Sequence, residues 1–386
     1  MAMSRKTFLR VLSGGVVVGV GAASAAPRLD AMPAEAVEGW RGPAAGERDP
    51  RRRALAWALL APNPHNLQSW SVDLAEPDTI RLFVDGARLL PQTDPLSRQI
   101  LIGHGCFLEI LSMAAAADGW LAETTLFPAG DWRLDRPVAL IRFVRSVGLT
   151  PEPLFDAVPR RRTVKRAFDD RPLDPAHQEA LRASFEPSLA RLSIVDDPAH
   201  VARLRAVAVS GSELEMNLPR THKESIDVVR IGAGAIAAHR DGISLTGPVV
   251  WALRQAGLMT AENAMTPGTV AWNGGRDYVL AGYASARAFG WLATPDNARP
   301  TQVAAGRAYV RLQLAATRLG VALQPHSQTL QEYPEMAELQ AMMKRETGTA
   351  QTGTTPGETL QMFFRLGYAG DPGPSPRRPI DSFVRA

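Results

Sequence analysis

Polar and apolar residues alternate with a period of two over 71–74 and 79–84, whereas apolar residues fill 97–119 almost without a break. The alternation predicts two short strands, and the unbroken run predicts a long helix buried on all sides, since it has no polar face to give to water. A helix is expected over 51–60, stopped by Pro62 and Pro64, and a buried strand over 138–144. A second series follows, with helices expected at 153–161, 175–185 and 199–217 and a strand at 192–195. After an irregular stretch the pattern resumes with strands at 286–292, 321–324 and 361–367 and a long helix at 301–319. Each series contains strands and a long buried helix. The expected class is therefore α+β, an antiparallel-leaning sheet flanked by helices in two copies, over 49–150 and 151–386. Within the second, 218–281 is irregular, with Gly232, Gly234, Gly242, Gly247, Gly268, Gly274 and Gly275 interrupting shorter helices. So long an excursion within a compact chain is expected to be a lid.

Composition narrows the class. Among 386 residues, 45% are hydrophobic and 21% charged, the balance of a globular protein. A pI near 9.5 suits an anionic ligand, but no Lys/Arg block is interleaved with aromatics, so a nucleic-acid partner is not expected. Residues 4–10 read SRKTFLR and precede a small-residue, apolar run to Ala26, the pattern of a cleavable export signal over 1–26. The run is too short and glycine-rich to span a bilayer, so no stable membrane span is expected after cleavage. The signal resembles the twin-arginine type except at Lys6, which implies a protein exported folded around a cofactor to the periplasm or another extracytoplasmic space. Residues 27–48, rich in Ala, Pro and Gly, are expected to be a tether. Cys106 is the single cysteine, so no intramolecular disulfide is expected. His104, His200, His222 and His239 lack ligand spacing, and no metal site is expected. Neither G-x-G-x-x-G nor a P-loop motif occurs in a strand-to-helix context.

Four segments carry candidate chemistry. Residues 61–70 read APNPHNLQSW, in which two prolines would hold the backbone extended. Asn66 and Gln68 offer donors and acceptors to the edge of a planar heterocycle, although the residues alone fit a proline-rich turn ahead of a core tryptophan better. Residues 160–169 read RRRTVKRAFD, a basic turn with a hydroxyl. It is either a solvated charge run or a phosphate cradle, since guanidinium forks bind phosphate oxygens in pairs. Residues 320–328 read GVALQPHSQ after a long helix, and the tail 368–379 contains SPRRP.

These segments resemble, in order, four motifs of FMN-dependent nitroreductases. Pro62, Asn66, Gln68 and Trp70 match the P-S-S-x-N-x-Q-P-W loop, with Asn63 and Pro64 in place of the serines and His65 ahead of Asn66. That variant is similar to the fused, Acg-type branch of the family. Arg161, Arg162 and Thr163 match the phosphate turn, in which Lys165 and Arg166 compete for a second basic position. Pro325, His326, Ser327 and Gln328 fall where the family places a backbone donor to flavin N5, and Arg377 falls at its C-terminal phosphate-binding arginine. The resemblance implies two fused nitroreductase-like halves forming an intrachain pseudo-dimer, with one FMN whose phosphate meets the second half and whose ring meets the loop of the first. It implies hydride transfer from NAD(P)H to a nitroaromatic, quinone or similar acceptor with no conspicuous catalytic side chain, or storage of the flavin without turnover. A pseudo-dimer favours a monomer.

Overall fold

Three helices begin with Asp-Pro, a start in which the carboxylate caps an amide and proline occupies the first helical position. The computed structural model describes residues 29–352 and 356–385. In it, Asp49, Asp174 and Asp197 cap α1 (Pro50–Ala58), α3 (Pro175–Ala183) and α4 (Pro198–Asn217). The proposed export signal lies outside the described residues.

The first sheet contains β1 (Trp70–Asp73), β2 (Thr79–Val84), β3 (Trp120–Leu126) and β4 (Ala139–Arg145) in the order β1-β2-β4-β3, every pair antiparallel. The helix α2 (Arg98–Ala117) leaves β2 and returns to β3. Its amides at Gln99 and Ile100 are capped by the Asp94 carboxylate. Its mean hydropathy of 1.7 would suit a membrane, but 83% of the apolar window is buried inside the fold. α2 is thus a core helix.

The second sheet repeats this path. It contains β5 (Arg191–Val195), β8 (Ala288–Thr294), β9 (Ala322–Pro325) and β10 (Thr359–Gly367) in the order β5-β8-β10-β9, again antiparallel throughout. The helix α10 (Arg299–Arg318) joins β8 to β9 as α2 joins β2 to β3. The two copies meet where these helices cross. Gly105 stands seven residues after the first residue of α2, and Gly306 seven after the first of α10. A Cβ on Gly105 would lie 2.0 Å from the Val303 carbonyl oxygen, and one on Gly306 would lie 1.9 Å from that of Ile102. The contact is reciprocal and backbone to backbone, the geometry of a pseudo-twofold axis.

Between β5 and β8 the chain makes α4, α5 (Pro219–Asp227), β6 (Val229–Ile231), α6 (Ala233–His239), β7 (Ile243–Leu245), α7 (Pro248–Gln255), α8 (Ala261–Met265) and α9 (Val270–Ala284). The excursion has the shorter helices expected of it and adds a two-stranded parallel ribbon of β6 and β7. Gly242 (φ 73°) and Gly247 (φ 107°) adopt conformations that favour a residue without Cβ, whereas Gly234, Gly274 and Gly275 lie inside α6 and α9.

The sequence reading differs from the structure in other places. Residues 27–48 are not a tether: from residue 29 onward this stretch is docked, with Ala36 and Trp40 buried and a 3-10 helix over Glu35–Arg41. The helix expected at 153–161 is a 3-10 turn, Pro153–Arg160, with Pro159 inside it. β3 and the helix α11 (Ala337–Glu346) were not expected at all.

Candidate functional site

α1 runs into the proline loop, and Gly103 of α2 lies beneath it, close enough that a Cβ would be 3.3 Å from Asn63 and Pro64. The loop is not extended as the prolines led us to expect. His65 (φ 48°), Asn66 (φ 57°) and Gln68 (φ 54°) are all left-handed. Non-glycine residues adopt this conformation at a cost of about 1–3 kcal/mol each, and such residues cluster at functional sites. Asn63 stabilises the turn from within, its Oδ1 accepting from the Gln68 amide at 2.7 Å and its Nδ2 donating to the Ala61 carbonyl at 3.0 Å.

Asn66 and Gln68 have different fates. Asn66 Oδ1 accepts from Arg377 at 2.5 Å, and its Nδ2 donates to the Pro376 carbonyl at 3.0 Å, joining loop to tail. Gln68, fully buried, accepts from the Arg378 amide at 2.8 Å and donates to the Arg240 carbonyl at 3.0 Å. Both polar ends of Gln68 are thus engaged by backbone, so its side chain braces the loop and does not face a ligand.

The basic turn meets the tail at the end of α1. Arg161 and Arg377 both donate to the Leu60 carbonyl, at 2.8 and 3.2 Å. Gln313 of α10 holds the turn by donating to the Arg162 carbonyl and the Thr163 hydroxyl, each at 3.2 Å, and by accepting from Arg161. Arg161 and Arg377 are buried, and the acidic neighbour of Arg162 is an exposed carboxylate, Asp371, at 3.5 Å. Burial pushes the Arg161 guanidinium down to about 10. Burial, then the charges of Arg161 and Arg162, hold Arg377 well below the ordinary guanidinium value. The Nε atoms of Arg161, Arg162 and Arg377 are all buried without a hydrogen-bond partner. Buried cations compensated only by one exposed carboxylate, and with Nε donors left over, are costly unless an anion completes them.

Between Lys165 and Arg166, the structure places Lys165 in the buried surroundings of His65. Burial pushes Lys165 down to about 8, whereas Arg166 turns toward Gly370. Burial first, and the Lys165 ammonium second, push His65 down to about 4. The folded protein therefore binds this proton less readily than the unfolded chain does. Stability from His65 is present above its ordinary value of 6.5 and lost as pH falls through 4. An NMR titration is expected to show one imidazole resonance, absent from His65→Asn, with a midpoint near 4; a midpoint near 6.5 would mean that His65 is solvated.

Arg365, which sequence reasoning missed, ties β9 to the basic turn. It is fully buried in β10 and donates to Gln324 Oε1 at 2.8 Å, to the Lys165 and Arg166 carbonyls at 3.2 and 2.6 Å, and to Ser285. The signal was a lone arginine within the apolar strand MFFRLG. Beyond it, Pro325 pairs with Phe364, and the His326 amide donates to the Phe363 carbonyl at 2.8 Å. The His326 ring lies 4.0 Å from that of Tyr283, with its Nε2 unpartnered. Burial and Arg365 hold its pKa well below the ordinary value. Gln328 is turned aside, its Oε1 accepting from the Tyr283 hydroxyl at 3.0 Å, and the adjacent Ser327 is half-buried.

Trp40, within the segment read as a tether, also belongs to the site. Its indole faces Arg162 at 4.2 Å, Arg377 at 5.0 Å and Arg161 at 5.6 Å. The excursion closes the far side of the loop, where the Gly242 amide donates to Asn66 O at 3.0 Å and Asp241 binds Arg88 and Arg230.

No family model matches the chain. It is 25% identical over 354 residues to an uncharacterised protein of Mycobacterium tuberculosis, covering 86% of this chain and 92% of that one. A second M. tuberculosis protein, provisionally named an NAD(P)H nitroreductase, is 26% identical over 372 residues, covering 90% and 96%. Along nine-tenths of its length, the chain is similar to a protein of that provisional name. A shorter match, 31% identical over 148 residues, links it to the M. tuberculosis protein Acg, also provisionally named an NAD(P)H nitroreductase, over 38% of this chain and 44% of that one. Among solved structures, the FMN-dependent nitroreductase NfnB of Mycobacterium smegmatis in complex with NADPH aligns with 60% of this chain and 99% of its own. The identity is 18% and the TM-score 0.37.

Proposed function

We propose that this nitroreductase-like protein binds one FMN per chain, between the proline loop of the first half and the basic turn, tail and β9 segment of the second, and acts as an NAD(P)H-dependent oxidoreductase. The observation that carries the reading is the set of three arginines with buried, unpartnered Nε atoms, which fits a terminal phosphate. Two features support the ring end: the left-handed turn at His65 and Asn66, and the Lys165 charge of the second half acting on His65 of the first. When bound, the flavin would accept a hydride from a nicotinamide and pass it to a nitroaromatic, quinone or similar acceptor. The protein's part is binding and orientation. Arg161, Arg162 and Arg377 would hold the phosphate, Asn66 would fix Arg377, and Lys165 would set a positive charge beside His65. The fused halves make a monomer sufficient, and the basic, small-residue N-terminus supports export.

Purified protein supplied with FMN is expected to show flavin absorbance at one equivalent per chain. Anaerobic NADPH or NADH is then expected to bleach it; a colourless protein that takes up no FMN would refute the reading. The clasp of the excursion on Asn66 and Gln68 favours a second reading, flavin storage, in which colour persists after the nicotinamide is added.

A further inference from the structure

The segment 30–41 crosses the outside of the arginine cluster as a strap. The Arg377 amide donates to the Ala36 carbonyl at 2.8 Å, and the Trp40 Nε1–H donates to the Ser375 carbonyl at 2.7 Å. Gly39 allows the close approach, since a Cβ there would lie 3.3 Å from that of Arg377. At its other end the strap is tied to the excursion, where Asp30 accepts from the Ala233 amide at 2.7 Å and its carbonyl accepts from the Gly247 amide at 2.9 Å.

We propose that Trp40 is a ligand-positioning residue that holds Arg161, Arg162 and Arg377 ready for a phosphate monoester, and that the strap is the outer wall of that site. Three neighbouring guanidinium groups repel one another and need compensation. A carboxylate would provide it, but would also neutralise the site and occupy the edge N–H groups. An indole face attracts a guanidinium through the ring quadrupole and engages its plane, leaving the edges free. Three guanidinium groups surround the Trp40 ring, and each keeps a buried Nε without a hydrogen bond, although the exposed Asp371 carboxylate stands 3.5 Å from that of Arg162. The site thus retains most of its positive charge and one Nε–H donor on each arginine, while most of the terminal nitrogens are bonded within the protein. The consequence is selectivity for a phosphorylated flavin over the same ring system without phosphate. This inference rests on the proposed FMN reading.

The test titrates the full chain with FMN, riboflavin and inorganic phosphate, following flavin fluorescence or phosphate competition. Trp40→Leu is expected to weaken FMN about tenfold and inorganic phosphate in parallel, with riboflavin affinity changed less than about twofold. Trp40→Tyr and Trp40→Phe are expected to fall between, following the strength of the π face. This graded series decides the matter should the leucine variant fail to fold. Equal FMN affinity across the series, or equal losses for FMN and riboflavin, would overturn the inference. Wild-type protein that binds no FMN would instead overturn the cofactor reading, and the strap would still be tested by phosphate: weakening by Trp40→Leu supports it and an unchanged affinity refutes it.

Discussion

Replacing Arg161 by methionine is expected to cut FMN affinity about a hundredfold while changing the stability of the flavin-free protein by no more than about 1 kcal/mol. Truncating one member of a buried, hydrogen-bonded charge pair costs a complex about 2–5 kcal/mol, and a hundredfold lies within that range. The flavin-free protein responds differently because it holds Arg161 buried beside the charge of Arg162, with no carboxylate paired to it among the described residues. Methionine removes the desolvation cost and the repulsion from Arg162 and occupies a similar volume. The Leu60 carbonyl still has a donor in Arg377, whereas the buried Gln313 Oε1 loses the Arg161 donor, which offsets the gain. Fluorescence titration with FMN and thermal melting without it measure the two effects separately. Unchanged FMN affinity would remove Arg161 from the phosphate site, and a large drop in melting temperature would make it a structural residue.

The largest stability effect is expected from Gly306→Ala. Its new methyl would lie 1.9 Å from the Ile102 carbonyl oxygen and 2.9 Å from the Gly105 Cα, and neither backbone can turn aside. α2 and α10 must separate, opening the core along their length. We expect a loss above about 4 kcal/mol, the range of severe overpacking, or failure to fold. Gly105→Ala should match it, since the contact is reciprocal. Gly275→Ala in α9, where a Cβ meets nothing within 4 Å, is the control and is expected to change stability by no more than about 1 kcal/mol. Urea denaturation of the three variants makes the comparison. A mild Gly306→Ala would show that the halves tolerate sliding.

What the sequence disclosed depended on how local the determining forces were. The strands at 79–84 and 361–367 and both long core helices were legible because their hydrophobic periods are set within a few residues. The loop's chemistry was legible too, but its shape was not: Pro62 and Pro64 suggest extension, and the left-handed turn depends on Asn63 accepting from the Gln68 amide and on Arg377 bonding Asn66. Gln68 looked like a ligand contact because its backbone partners lie 172 and 310 residues away. β3 escaped because WLAETTL lies at a sheet edge with polar and apolar residues mixed on both faces. The short helices of the excursion carry too few turns to show a period. Trp40 was hidden by the composition around it, an alanine- and glycine-rich stretch that resembles a tether until its packing is known.

The arginine cluster and its strap join residues from opposite regions of the chain: the Trp40 bond to Ser375 spans 335 positions and the Arg377 bond to Asn66 spans 311. Contacts of such sequence separation have a high loop-closure cost and are among the last to form as a chain condenses. The two sheets and the crossed helices can assemble from nearer neighbours, so the order of folding places the frame first and the pocket afterwards. Neither half alone contains the constellation, and a proteolytic nick that frees either end would dissolve the anion site while leaving most of the core intact.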